Sequence, residues 1–209
     1  TVAPELDGVT DFIRRASEVC AVSLGHSTAN YEQAMAGFAA GATHVTHLFN
    51  GMEPLHHRKP GLIGAALTAG ASVELICDGF HIHPAVVNAV YRMFGKGLVV
   101  ISDSLRCAGM PDGEYELGGQ PIVMRDGKAT LYDGTIAGSS TNLMQELRNV
   151  VAFGIPLEDA VYALTEAPAR SVGRFDTIGS LAEGKLADLL IVGENLELEA
   201  VFVGGERGK

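Results

Sequence analysis

Residues 21–47, AVSLGHSTANYEQAMAGFAAGATHVTH, contain one complete unit of strand, helix and strand. The apolar and β-branched residues at 21–24 and at 44–47 predict two short buried strands. Between them, residues 30–40 place small and apolar side chains at helical spacing, and this pattern ends at Gly41. A helix that connects two strands of one sheet predicts that the strands are parallel and joined by a right-handed crossover.

The same alternation continues along the chain, with further predicted strands at residues 73–77 and 98–102. The helix between these strands covers residues 84–94, because Pro84 suits a first helical turn and Gly95 ends the pattern. The sequence therefore predicts an α/β fold with a parallel sheet, which either opens as a doubly wound sheet or closes as a barrel. Hydrophobic periodicity is compatible with both forms.

The alternation of strands and helices is interrupted after the fourth strand. Residues 113–133 alternate polar and apolar side chains around the turn dipeptides Gly118-Gly119 and Asp126-Gly127. This pattern is typical of hairpins and predicts an insertion in the α/β domain.

Helical patterns return in the last third of the chain. They cover residues 140–153, whose serine-rich start suits an N-cap, and residues 157–164 after Pro156. The final apolar runs, at 179–192 and 200–204, predict two or three strands with tight turns.

Composition excludes several classes of function. The formal net charge of −10 argues against a nucleic-acid partner, which requires a clustered excess of lysine and arginine. Cys20, Cys77 and Cys107 are odd in number and widely spaced, so we expect reduced thiols, with Cys77 and Cys107 in the core. No uninterrupted apolar stretch approaches the roughly 20 residues of a membrane span. We therefore expect a cytoplasmic protein without a membrane partner.

Four polar residues follow the four predicted strands. His26 and His47 come directly after the first two, His81 follows the third, and Asp103 closes the fourth. The carboxyl ends of parallel strands share one rim, which carries the active site in many α/β enzymes. A single such residue can simply cap a strand or a loop with a hydrogen bond. Four in succession favour a functional site.

The chemistry of these side chains suits metal-assisted hydrolysis. Neutral imidazole is a common metal ligand, and two ligands at roughly 2.0 to 2.1 Å from one ion would place the nearest ring nitrogens of His26 and His47 about 3 to 4 Å apart. Such an ion lowers the pKa of bound water and polarises a carbonyl oxygen. Asp103 is the candidate to take the proton of the water and return it to a leaving amine.

Six motifs, in order and at similar spacing, resemble those of the N-acetylglucosamine-6-phosphate deacetylase family of amidohydrolases. They are GHS at 25–27, THLFNGM at 46–52, RKPGL at 58–62, DGFH at 78–81, SD at 102–103 and GTIAGSS at 134–140. The tail GKLAD at 184–188 is similar to the ending that many amidohydrolases share.

The resemblance implies a partial (β/α)8 TIM barrel, about strands 4–8, over residues 1–177, and the C-terminal piece of a small β-sandwich over residues 178–209. It also implies individual roles: His26 and His47 bind the metal, and Asp103 is catalytic. The substrate-contacting residues that it implies are Asn50, Gly51, Arg58, Asp78, Gly79, Phe80, His81, Ile136, Ala137 and Gly138. The last three would form a loop beside the sugar, and Arg58 would bind the phosphate from the neighbouring subunit of a homodimer.

The reaction implied is hydrolysis of the N-acetyl group of N-acetylglucosamine 6-phosphate to acetate and glucosamine 6-phosphate. The cofactor would be a divalent metal ion, with zinc as the first candidate and iron, manganese or cobalt as alternatives. Two other functions stay open: an amidohydrolase acting on a cyclic amide or an N-acyl amino acid, and an inert folded fragment. Arg58 and the Asn50-Gly51 pair favour the phosphorylated sugar, because a substrate without phosphate would not need them.

Two functional residues of the family have no counterpart in this sequence. They are a glutamate metal ligand and a carbonyl-polarising histidine, which lie in an earlier motif of the type His-Glu-Gly-Pro-Phe. Residues 1–5 resemble the fourth barrel strand of the family, so we expect strands one to three to be absent and the chain alone to be inactive. Glu5 belongs to a different motif and is not expected to replace the missing ligand. His44, His56, His57 and His83 match no ligand position.

Overall fold

The structure is a computed structural model and describes residues 1–208. One sheet is parallel and places four strands side by side in chain order. The strands are β1 (Ser23–Leu24), β2 (His44–Val45), β3 (Ser72–Ile76) and β4 (Leu98–Ile101); the helices before and between them are α1 (Val9–Ala16), α2 (Tyr31–Ala39), α3 (Gly61–Ala69) and α4 (Pro84–Phe94). The parallel α/β arrangement predicted from the sequence is confirmed.

The first two strands are shorter than predicted. The strand predicted at 44–47 ends at Val45, because His47 takes a left-handed backbone conformation with φ of 30° that cannot continue an extended strand. Before β1, Val2 forms one parallel bridge with Leu24, which extends the sheet by a single position. Five segments of the chain, Val2 and the strands β1 to β4, therefore pair in parallel in this sheet.

Helices pack against one face of this sheet and enclose the main core. Leu24, Val45, Val73 and Leu75 are wholly buried there. Burial of such side chains stabilises the fold by about 1.5 to 3 kcal/mol each. The sequence also predicted buried thiols: Cys77 belongs to this core, and neither it nor any other cysteine within residues 1–208 forms a disulfide.

Local signals explain where the predicted helices begin. Asn30 accepts a hydrogen bond from the backbone N–H of Gln33, and the side chain of Gln33 accepts from the backbone N–H of Asn30, so α2 begins with a capping box. In α4, Pro84 occupies the first turn, and His83 caps it by accepting from the backbone N–H of Ala85. The sequence analysis did not predict α3, whose nine residues GLIGAALTA are almost uniformly apolar and small.

The predicted hairpin region is present and is larger than expected, while its being an insertion in the α/β domain stays a prediction. It is an antiparallel sheet of β5 (Gly113–Leu117), β6 (Gln120–Arg125), β7 (Lys128–Thr130) and β8 (Ile136–Gly138), with a small core of its own around Cys107, Ile122 and Met124. The prediction of a loop at Ile136, Ala137 and Gly138 is wrong, because these residues pair with β7 as strand β8.

The last third contains α5 (Leu143–Ala152), α6 (Leu157–Leu164) and α7 (Glu166–Ser171), followed by an antiparallel sheet of β9 (Leu189–Val192), β10 (Leu198–Val203) and β11 (Glu206–Arg207). The predicted serine N-cap is wrong: Asn142 caps α5 by accepting from the backbone N–H of Gln145, and the hydroxyl of Ser140 donates to the carbonyl of Gly127. The three final strands agree with the prediction. The domain boundary at 177/178 stays a prediction. None of the helices within residues 1–208 is long and apolar enough to cross a bilayer.

Candidate active site at the carboxyl ends of the parallel strands

Three of the predicted site residues occupy equivalent positions. His26, His47 and Asp103 each lie two residues beyond the end of a parallel strand, and their φ angles are 49°, 30° and 47°. Residues other than glycine seldom take such a conformation, and it persists only where the surroundings enforce it. The three left-handed residues bring their side chains to the same rim of the sheet.

His26 and His47 converge, as predicted from their positions. Their Nε2 atoms are 2.8 Å apart, which is shorter than the 3 to 4 Å expected around a shared ion, and the rings meet edge to face at 83°. His47 is buried, whereas His26 is exposed at the rim. A Cβ atom at Gly51 would approach Nδ1 of His26 to 3.0 Å, so the absence of a side chain there leaves room for the ring.

The donor set of this histidine pair fits part of a metal site. Two imidazole nitrogens point at one place, and the other ring nitrogen of His47, Nδ1, is buried without a hydrogen-bond partner within the described chain. Imidazole nitrogens suit zinc and neighbouring divalent ions. However, no group of three or more histidine, cysteine, aspartate or glutamate side chains within residues 1–208 is placed to hold an ion. In a metal site the pair would supply two ligands of a set that needs at least one more.

Asn50 and Gly51 connect the two histidine loops. The backbone and side-chain amides of Asn50 both donate to the carbonyl of His47, at 3.0 and 3.3 Å. The carbonyl of Gly51 accepts from the backbone N–H of Ser27 at 2.9 Å. These bonds hold the loops after β1 and β2 against each other and so maintain the convergence of the rings.

His81 is held by Asp78 in the loop after β3. The Asp78 carboxylate accepts from the backbone N–H groups of Phe80 and His81, both at 2.8 Å, and lies 2.7 Å from Nδ1 of His81. Burial alone would raise the pKa of Asp78, but the hydrogen bonds from His81 and Phe80 hold this pKa below its usual range. Asp78 thus orients the His81 ring, while the side chain of Phe80 is exposed beside it.

Asp103 has an exposed carboxylate and a backbone that is fixed by the β8 segment. Its carbonyl accepts from the backbone N–H of Ser139 at 3.2 Å, and the backbone N–H of Leu105 donates to the carbonyl of Ser139 at 2.8 Å. A Cβ atom at Gly138 would lie 2.8 Å from the side chain of Leu105, so a larger residue there would require this side chain to move. The antiparallel sheet therefore sets the backbone position of Asp103.

Arg58 is exposed and lies in the segment between β2 and α3. Its backbone N–H donates to Nδ1 of His56 at 3.2 Å. Among the residues described, its guanidinium forms no ion pair or hydrogen bond with any side chain of the site. The structure brings together His26 and His47 and fixes the loops of His81 and Asp103, but it does not join Arg58 to them.

Two supporting carboxylates were not predicted. Glu5 accepts from the hydroxyl of Ser27 at 2.6 Å and from the backbone N–H of Thr28 at 2.7 Å, so it holds the loop of His26. That Glu5 does not replace the missing ligand stays a prediction. Burial would raise the pKa of Glu5, but these hydrogen bonds lower it overall. The second carboxylate, Glu146, is completely buried on α5. In the sequence, Glu146 could be recognised as a charged residue next to Leu147 on the apolar face of a predicted helix.

The remaining histidines have local roles. Buried His44 contacts Glu74 at 3.1 Å, exposed His56 accepts from the backbone of Arg58, and the ring of His57 lies beside that of His56.

Comparison with known proteins places this geometry in a family. The Amidohydrolase family model matches residues 3–208. An N-acetylglucosamine-6-phosphate deacetylase of Vibrio furnissii is 39% identical over 207 residues, which are 98% of this chain and 52% of that protein. An N-acetylgalactosamine-6-phosphate deacetylase of Escherichia coli O157:H7 is 37% identical over 208 residues, which are 98% and 55% of the two chains.

A solved structure has the same fold over almost the whole chain. A mutant N-acetyl-D-glucosamine-6-phosphate deacetylase of Mycobacterium smegmatis, in complex with N-acetyl-D-glucosamine-6-phosphate, gives a TM-score of 0.93 at 36% identity, over 99% of this chain and 56% of that one. The chain thus spans about half the length of the curated relatives it matches. Because the family model covers nearly every residue, the chain belongs to the amidohydrolase family, and its relatives there are deacetylases of N-acetylated amino-sugar 6-phosphates.

Proposed function

We propose that this chain forms part of a metal-dependent deacetylase that converts N-acetylglucosamine 6-phosphate to acetate and glucosamine 6-phosphate. The observation that carries the proposal is the convergence of His26 and His47 at 2.8 Å, on the rim that also carries Asp103. The 39% identity to a deacetylase of this sugar phosphate supports the choice of substrate.

In this proposal His26 and His47 hold a divalent metal ion through their Nε2 atoms, together with at least one ligand from outside the described residues. Zinc is our first candidate, and iron, manganese and cobalt suit the same ligand types. When bound, the ion supplies polarisation of the amide carbonyl and activation of water. The wide spacing of the reduced cysteines is in keeping with a cytoplasmic enzyme.

Asp103 moves the proton in this reaction. Its exposed carboxylate accepts a proton from the water whose oxygen forms the new bond to the acetyl carbon. As the bond between that carbon and the amide nitrogen breaks, Asp103 returns the proton to the nitrogen, which leaves as the amine. The fixed backbone of Asp103 keeps the carboxylate in one place during both transfers.

The other predicted residues would bind and orient the sugar. Asp78 holds Nδ1 of His81, which leaves Nε2 of that ring to contact the substrate. Asn50, Gly51, Gly79, Phe80, Ile136, Ala137 and Gly138 line the proposed sugar site. Arg58, whose guanidinium has no ion-pair partner within residues 1–208, would bind the 6-phosphate of a neighbouring subunit in a homodimer.

N-acetylgalactosamine 6-phosphate is a second candidate substrate. The relative that carries this name is 37% identical, nearly the same value as for the glucosamine enzyme. The two sugars differ only in the configuration at C4, so both present the same amide and the same phosphate to the residues discussed. A cyclic amide or an N-acyl amino acid is less suited, because neither carries the phosphate that we propose for Arg58.

The proposal is tested with the chain alone and with a chimaera in which it replaces the matching segment of the Vibrio furnissii relative. Acetate release is measured with both sugar phosphates and with unphosphorylated N-acetylglucosamine, after loading with zinc. We expect no turnover by the chain alone and turnover of a phosphorylated sugar by the chimaera. A correctly folded, metal-loaded chimaera that hydrolyses neither sugar phosphate would disprove the proposal and favour the inert fragment.

A further inference from the structure

Glu146 is a completely buried carboxyl group that the proposed reaction does not use. It projects from α5 and has partners on two sides. Its Oε2 accepts from the backbone N–H of Cys77 at 2.8 Å, and its Oε1 accepts from the hydroxyl of Thr141. Burying a carboxyl group costs free energy even when it is hydrogen-bonded, and an apolar residue in its place is often no less stable. A geometric role would explain why a carboxyl group occupies this position.

On one side, Glu146 fixes the end of the strand that leads to His81. Its carboxyl binds the N–H of Cys77, and the side-chain amide of Asn149, on the same helix, donates to the carbonyl of Cys77 at 3.0 Å. Helix α5 therefore holds both polar groups of this residue. The next residue is Asp78, whose carboxylate lies 2.7 Å from Nδ1 of His81.

On the other side, Glu146 fixes the turn that supports Asp103. The Thr141 hydroxyl lies 2.6 Å from the hydroxyl of Ser139, which also accepts from the backbone N–H of Thr141 at 2.9 Å. The backbone of Ser139 in turn bonds to the carbonyl of Asp103 and to the N–H of Leu105. A continuous series of hydrogen bonds thus joins Glu146 to the backbone of Asp103.

We infer that Glu146 is a positioning residue that fixes His81 and Asp103 relative to each other, through Cys77 on one side and through Thr141 and Ser139 on the other. This inference rests on the proposed function, in which His81 contacts the sugar and Asp103 moves the proton. The contact with Cys77 is not local in sequence, since Cys77 and Glu146 are 69 positions apart, whereas Thr141 is five positions away from Glu146.

Charged neighbours affect the ionisation of Glu146, but either ionisation state can keep the geometry. Burial raises its pKa to about 7; the hydrogen bonds from Thr141 and Cys77 and the nearby His81 oppose this increase, and the carboxylate of Asp78 adds to it. A protonated carboxyl can still accept from Cys77 and can donate to the oxygen of Thr141. Glutamine can make the same two contacts, whereas leucine can make neither.

The test uses Glu146→Gln, Glu146→Leu and Thr141→Val, with Glu158→Gln on the exposed surface of α6 as the control. In the chimaera, we expect Glu146→Leu to lower kcat by about tenfold to a hundredfold, because small displacements of reacting groups have effects of this size. Glu146→Gln should restore most of the turnover. Thr141→Val should lower kcat with little change in KM, because it breaks only the connection to Asp103.

NMR of the full chain provides a measurement that does not depend on catalysis. Glu146→Leu should shift the signals of the His81 ring and the Asp103 and Leu105 amides, whereas Thr141→Val should shift only those of Asp103 and Leu105. If Glu146→Leu fails to fold, the inference is still tested by the selective effect of Thr141→Val and by the turnover that Glu146→Gln retains. Unchanged signals in these variants, or equal damage by glutamine and leucine, would overturn the inference. An inactive wild-type chimaera with the expected shifts would instead count against the proposed function alone.

Discussion

His26, His47 and Asp103 all have left-handed backbones at the same offset from their strands. Histidine and aspartate are among the residue types enriched in this conformation, so the residues that the chemistry requires are also ones that the backbone accepts. The sequence predicted where these residues stand, because it shows them after strand patterns. It did not predict their φ values, which depend on contacts such as that between Gly51 and the loop of His26.

Asp103→Asn should remove turnover without removing the metal. Asparagine accepts the left-handed conformation but cannot take the proton of the attacking water, and general acid and base catalysis contributes about 10² to 10⁴ in rate. We expect kcat of the chimaera to fall by about that factor, with unchanged metal content by mass spectrometry. Asp176→Asn, in an exposed loop, is the control and should keep full activity. Wild-type kcat in the Asp103 variant would exclude Asp103 as the base.

Arg58→Ala should impair only the binding of phosphorylated sugars. A guanidinium binds a phosphate by two parallel charge-assisted hydrogen bonds, each worth about 1.5 to 3 kcal/mol. We therefore expect KM of the chimaera for the 6-phosphate to rise at least about tenfold, with little effect on unphosphorylated N-acetylglucosamine. Lys59→Ala, at the neighbouring exposed position, is the control. If Arg58→Ala preserves the preference for the phosphorylated sugar, Arg58 does not bind phosphate.

Mixing subunits tests whether Arg58 serves the partner of a homodimer. A dimer of one Arg58→Ala and one Asp103→Asn subunit would contain one site with both residues intact if Arg58 acts across the interface. Such hybrids should regain up to half of the wild-type activity. No recovery, despite subunit exchange demonstrated by differently tagged chains, would place Arg58 in the site of its own subunit.

At the scale of elements, prediction succeeded where local signals were strong. Helix α4 was predicted with its observed bounds, because Pro84 and Gly95 mark its ends, and α2 differed only at its termini. Prediction failed where contacts between residues far apart in the sequence determine the structure. Residues 140–142 were included in the predicted helix, but Ser140 donates to the carbonyl of Gly127, and Ser104 donates to the carbonyl of Thr141. These bonds keep the segment outside α5.

The tail motif at 184–188 has a structural explanation at this scale. The ammonium of Lys185 donates to the carbonyls of Phe175 and Ile178 and lies 3.5 Å from the centre of the Phe175 ring. The carboxylate of Asp188 accepts from the backbone N–H of Gly204 at 2.7 Å. The motif therefore fastens the segment after α7 and the turn after β10.

Lys185→Met should destabilise the chain more than a matched surface change. Methionine keeps an unbranched apolar side chain but loses hydrogen bonds to a charged donor, which are worth about 1.5 to 3 kcal/mol each. Lys96→Met is the control, because Lys96 is 64% exposed in its ion pair with Asp159, and exposed pairs contribute about 0 to 1 kcal/mol. Urea unfolding measures the loss in the free energy of unfolding for both variants. Equal losses in the two variants would contradict this account of the tail.

At the scale of the whole molecule, the alternation of strands and helices predicted a parallel sheet and the rim that carries His26, His47 and Asp103. It did not predict the order of the strands, because a doubly wound sheet and a barrel share this alternation. The contribution of α5 could not be predicted, because Glu146 reaches Cys77 across 69 positions. The sequence contains no local pattern for such a contact. Prediction thus identified the residues proposed for the chemistry and missed the buried carboxyl that joins their loops.

Glu146 should also make stability depend on pH. Its pKa rises from an ordinary value of 4.5 to about 7 in the folded chain, so the folded state binds the proton more tightly than the unfolded state. Its contribution to the free energy of unfolding is therefore greatest below pH 4.5 and decreases as the pH rises to 7, by up to about 3 kcal/mol. Asp78 and Glu5, whose pKa values are lowered, act in the opposite direction at lower pH.

Urea unfolding of the wild type and of Glu146→Gln between pH 4.5 and 7.5 isolates the contribution of Glu146. The contributions of the other ionisable groups cancel in the difference between the two free energies of unfolding. The wild type should lose stability relative to the variant as the pH rises. Glu158→Gln should give a difference that is independent of pH. A constant difference for Glu146→Gln as well would mean that Glu146 is ionised throughout this range.

The antiparallel sheet of β5–β8 has a small core separate from that of the parallel sheet, built around the buried side chains of Cys107, Ile122 and Met124. A unit with so small a core can open while the rest of the molecule stays folded, because local opening requires less free energy where few apolar contacts are lost. Its amides should then exchange with deuterium sooner than those of β3 and β4. Since β8 leads into Ser139, each opening would release the backbone of Asp103, and a bound sugar phosphate would slow exchange throughout this sheet.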